Sequence, residues 1–107
     1  MSAGASGYEI EFPEGYFGQL EEDTPARGWL EVTVRAADGK TRYRLAFYDA
    51  VRLKQTLDDY AEQGQVHYTE PNLVLLTAVS TTNVQKAVAE LAREGYFDQI
   101  KAETAPP

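Results

Sequence analysis

The residues best placed to do chemistry are Arg35, Arg42 and Arg44, set with Trp29 and Tyr48 at alternating positions of one stretch. Guanidinium groups take carboxylates or phosphates through a planar fork of donors, and Arg, Trp and Tyr recur as interface anchors. The pattern predicts a basic, aromatic sheet face suited to a protein partner. Intramolecular neutralisation competes with that reading. Paired across two antiparallel strands, Arg35 and Arg42 stand opposite one another, and like charges so placed destabilise a sheet. Glu31, diagonal to Arg44, and Glu9 or Glu11 from an N-terminal strand are the expected internal counter-charges. A face of Arg and aromatics also resembles the platforms of single-stranded RNA readers. Their glycine-and-paired-aromatic motif is absent, and a net charge of -7 opposes phosphate binding, so nucleic acid is not the expected partner.

Other chemistry is thinner. His67 is the single histidine and has Glu70 three residues on. It suits a general base, but no nucleophile accompanies it: there is no cysteine and no Gly-x-Ser-x-Gly turn. A weaker alternative is a ligand pocket between Tyr16, Phe17, Tyr96 and Phe97 and the sheet, with His67 at its rim. Asp58 and Glu62 share a helix face with Asp59 nearby, but one histidine and no cysteine leave only carboxylates for a metal. No dinucleotide or Walker glycine pattern occurs. No metal, no cofactor and no enzymatic activity are expected.

The elements follow from periodicity. Residues 29–48 read as two alternating strands around Asp38-Gly39, a strong signal for a two-residue hairpin turn. Opposing Ala37 and Lys40 places Val34 against Tyr43, Val32 against Leu45 and Leu30 against Phe47, so one face is wholly apolar. Tyr8, Ile10 and Phe12 alternate with Glu9 and Glu11 as a short strand before Pro13. Glu21 to Gly28, holding Pro25, reads as an acidic loop. Asp49 caps a helix with the stripe Ala50, Leu53, Leu57, Tyr60 and Ala61, stopped at Gly64. Tyr48 and Leu53 are placed to staple its start. Val66 to Thr69 reads as a short strand. Leu73 to Val79, apolar at almost every position, reads as a central strand covered on both faces. A second helix starts near Ser80 to Thr82, with Thr82 and Gln85 as a capping box, and carries the stripe Val84, Ala87, Val88, Leu91 and Ala92. Gly95 ends it. The segment Glu14 to Leu20 echoes Glu94 to Ile100 at five of seven positions, a glycine turn followed by packing aromatics.

This order, β-ββα-ββα, predicts an α+β two-layer sandwich: an antiparallel or mixed sheet with two helices on one face. One domain spans 8–101, with flexible tails at 1–7 and 102–107. Charge is bipolar along the chain: residues 1–26 hold six acids and no base, whereas residues 27–54 hold seven bases and three acids. No membrane span or signal peptide is visible, and a cysteine-free chain fits the cytoplasm. The function expected is a non-enzymatic regulatory, inhibitor or interaction module that docks through charged surfaces onto a protein partner. A homodimer is a further possibility.

Overall fold

The computed structural model describes residues 7–103. The chain order is β1 (Glu9–Glu11), α1 (Gln19–Arg27), β2 (Trp29–Arg35), β3 (Arg42–Tyr48), α2 (Ala50–Glu62), β4 (Leu73–Leu75), α3 (Thr81–Arg93) and a 3-10 turn at Tyr96–Asp98. The strands form one four-stranded mixed sheet in the order β1-β2-β3-β4. β1–β2 and β2–β3 are antiparallel, and β3–β4 is parallel. No described helix is long and apolar enough to cross a membrane.

The central hairpin has the expected register: Leu30 faces Phe47, Val32 faces Leu45, Val34 faces Tyr43 and Arg35 faces Arg42. The inward residues are buried and form the core with Tyr16, Val79, Val84, Val88 and Phe97. The turn differs from expectation. A two-residue type I′ turn requires positive φ at both central residues, and here only Gly39 has it, at 72°. The loop is four residues, 37–40, closed by Gly39 N–H donating to Ala36 O at 2.9 Å. Asp38 holds it from within, accepting from the amides of Lys40 and Thr41 and from the Thr41 hydroxyl. The register survives because the longer loop keeps the same centre.

Three elements depart from the sequence expectation. The acidic segment with Pro25 is helical, as α1, although Pro25 removes the N–H that would meet Glu21 O. α1 is tied down by its contacts: Leu20 packs against the core. Thr81 donates its one hydroxyl proton to Glu21 at 2.6 Å, so Tyr16 O–H donates to Thr81 across 2.8 Å. Residues 65–70 form no strand, and Val66 is 95% exposed. The apolar run 73–79 is not a central strand. Only Leu73–Leu75 pairs, at the sheet edge, and Leu75 stays exposed. A strand following β3 in parallel meets it only at Ala46–Tyr48, where β3 ends, so pairing is short.

The helices do not both pack on the core. α3 does: Val84 and Val88 are buried, with Ala87, Leu91 and Ala92 packed beside them. Its N-cap is Ser80, whose hydroxyl accepts from Asn83 N–H, rather than Thr82. α2 contributes no residue to the core. Asp49 caps it as expected, accepting from Arg52 N–H at 2.8 Å. Its end is a Schellman arrangement, Gln65 N–H to Tyr60 O and Gly64 N–H to Ala61 O. Of the apolar stripe, Leu53 and Tyr60 are half-buried while Ala50, Leu57 and Ala61 are exposed. The expected tails lie outside the described residues except Gly7, Ala102 and Glu103. Ala102 packs against the core, and Glu103 N–H donates to Arg42 O at 2.7 Å.

Candidate functional site

Strand alternation places Trp29, Glu31, Thr33 and Arg35 of β2, and Arg42, Arg44, Ala46 and Tyr48 of β3, on the face opposite the core. The sequence brings these residues together as expected, but the face is not uniformly open. At one end Tyr48 is buried. Its ring meets Tyr68 edge-on, and Tyr68 in turn meets Tyr60 of α2. The Tyr48 and Tyr68 hydroxyls both donate to Glu70 Oε1. Burial pushes the Tyr48 phenol up; hydrogen bonding to Glu70 pushes Tyr68 up further. Tyr48 is therefore a structural residue here and offers no ring to a partner.

The arginines fall into two groups. Arg35 is neutralised twice, by Glu9 at 3.2 Å and Glu11 at 3.6 Å. Those glutamates face it because Ile10 between them turns inward against Val34. This relieves the like-charge pair with Arg42 from one side. Arg44 pairs with Glu103 rather than with the diagonal Glu31. Arg42 is exposed and forms no ion pair among the described residues.

Two arginines that sequence reasoning passed over lie at the Trp29 end. Arg27 Cζ sits 5.6 Å from the centroid of the Trp29 ring, within cation–π reach. Arg52, on the first turn of α2, donates from Nη1 to Arg27 O at 3.2 Å. Both arginines and Trp29 are half-buried. Neither arginine has a carboxylate partner among the described residues. Asp49 is occupied as the α2 cap and lies tight against Gly28, and Asp23, four residues before Arg27 on α1, accepts from Gln19. A signal for Arg52 was present in the sequence: a cation in the first turn opposes the helix dipole.

A groove of about 360 Å³ opens beside Arg44, lined by Glu31, Arg44, Glu70, Pro71, Asn72 and the segment Lys101 to Glu103. It contains none of the residues expected to form an aromatic pocket. Tyr16 and Phe97 are fully buried core residues. Tyr16 stacks on Phe12, while Phe97 stacks on Tyr8 and meets Tyr43 and Tyr96. Phe17 is 64% exposed, Tyr96 is half-buried and His67 is exposed in the irregular segment after α2. The pocket fails because the two echoed segments bury different aromatics: the tyrosine in the first copy, the phenylalanine in the second. Both copies share only a left-handed glycine, Gly15 at 73° and Gly95 at 79°. Among the described residues no acidic or histidine cluster is arranged to hold a metal. No family model, curated protein or solved structure matches the chain.

Proposed function

We propose that the protein is a non-enzymatic interaction module that docks onto a protein partner through the charged face of its sheet and the helix ends beside it. One observation carries this reading. The chain holds seventeen acids against ten bases, yet Arg27, Arg42 and Arg52 have no ion-pair partner among the described residues. Arg35, Arg44 and Arg93 show that internal neutralisation is available to this chain. Arginines left free, Arg27 among them over an indole ring, suit a partner's carboxylates and speed docking by electrostatic steering. Affinity capture from a lysate of the source organism, at low and high salt, tests it. A partner should be retained by the wild type, lost in the triple Arg→Gln variant, and weakened by salt. Capture unaffected by those three changes argues against the reading.

A second reading, small-molecule binding, has the groove beside Arg44 in its favour. Its volume lies within the range of ligand sites, and it presents both signs of charge. Thermal-shift screening against charged metabolites tests it, since a specific ligand raises the melting temperature. A flat response across the library removes it.

A further inference from the structure

From the arrangement at the Trp29 end of the sheet we infer that Arg27, Trp29 and Arg52 form the anchor site for an acidic, partly apolar segment of a partner protein. This rests on the interaction reading above and names its site and ligand class.

Three features converge. The first is unused donor capacity. Among the described residues, Arg52 uses one of its guanidinium donors, on Arg27 O, and the Arg27 guanidinium lies over the indole and forms no ion pair. Half-buried guanidinium groups keep donors free for bidentate carboxylate bonds, which are stronger than neutral ones. The second is local conflict. Arg52 is the third residue of α2, where a cation is disfavoured by the dipole. The Asp49 carboxylate caps the positive end of α2 and forms no ion pair with either guanidinium among the described residues. Positions that break a local rule without full compensation are where function is expected. The third is mixed chemistry. Trp29 offers an apolar ring beneath the Arg27 guanidinium, and Trp and Arg are both enriched at interface hot spots.

The ligand class follows from charge. A nucleic-acid backbone needs an extended positive surface, and this molecule carries -7 overall. A short acidic segment needs only the local pair of guanidinium groups and something greasy to lay on the indole.

Trp29 is the only tryptophan, so its fluorescence reports on this site alone. The full chain is titrated with a short peptide of alternating glutamate and leucine, then with a lysine–leucine peptide and a single-stranded oligonucleotide. Saturable change in Trp29 emission is expected with the acidic peptide only. Affinity should fall about tenfold in Arg27→Gln and in Arg52→Gln, the scale of one charge-assisted hydrogen bond. Arg52→Lys should recover part of it. Unchanged affinity in the double Gln variant, with its melting temperature retained, overturns the site, as does tighter binding of the oligonucleotide. Concentration-dependent dimerisation that the double variant abolishes assigns the site to a second copy and overturns the separate partner. Should the captured partner survive both Arg→Gln changes but not loss of Arg42, the interaction reading stands and this anchor falls.

Discussion

Gly28 shows how tightly single positions are set around the candidate anchor. It ends α1 with φ at 69°, and a Cβ there would lie 2.7 Å from the Asp49 carboxylate oxygens. Gly28 O also accepts from Asp49 N–H at 2.9 Å. Gly28→Ala should therefore strain the backbone and displace the α2 cap together, costing about 2 kcal/mol from the left-handed conformation and the lost cap. Thermal melts check this, and Trp29 emission should shift with them because the ring is the next residue. Asp38 makes a pH prediction. Hydrogen bonds from the Thr41 hydroxyl and amide, then from the Lys40 amide, lower its carboxyl to about 2. A carboxyl lowered in the folded state adds stability that is complete above the ordinary carboxylate range and lost as pH falls through the folded value. The melting-temperature gap between wild type and Asp38→Ala should be full at neutral pH and shrink between about pH 4 and about pH 2. A gap that persists at the acid end contradicts that assignment.

At the scale of elements, the hairpin, β1, α3 and the Asp49 cap were legible because each is decided locally. Alternation of period two fixes the faces of Trp29 to Tyr48, and a capping carboxylate needs only its own turn. α1, residues 65–70 and β4 were not legible, because tertiary contacts decided them. Pro25 argued against a helix, but Leu20 and the Tyr16–Thr81–Glu21 hydrogen bonds hold one. The helix keeps the cost of the proline. Pro25→Ala restores an N–H toward Glu21 O and should stabilise by about 1–3 kcal/mol, the proline penalty less the entropy regained by the unfolded chain. Denaturant titration checks it; destabilisation would mean that Pro25 is held for its own packing. The α2 stripe is apolar but largely outside the core, since helical spacing reports which residues share a face and not what covers that face. Of the site residues, the arginines were placed on the right surface. Their division into neutralised and free depended on Glu9, Glu11 and Glu103, whose positions no local pattern supplies.

For the molecule as a whole, the acid excess and the free arginines describe one electrostatic object. Acids line β1 and the exposed side of α2, and the unpaired guanidinium groups lie at the two ends of the hairpin, Arg42 beside its turn and Arg27 and Arg52 by Trp29. Raising ionic strength should weaken any contact made there, because exposed charges are screened beyond about 8–10 Å at physiological salt. The irregular run 65–70 has a different implication. It joins a half carrying β1 to α2 to a half carrying β4 and α3. The halves are bound to each other by core side chains and by Ala46 N–H to Asn72 O, Leu76 N–H to Tyr48 O and Glu103 N–H to Arg42 O. The bridge leaves α2 in solvent, with Val66 almost fully exposed, and is tied down at its far end where Tyr68 and Glu70 meet Tyr48. Co-expressed as separate polypeptides cut after Gly64, the two pieces should find one another and co-elute as a nicked but native complex. Such complementation would let each half be labelled or exchanged independently.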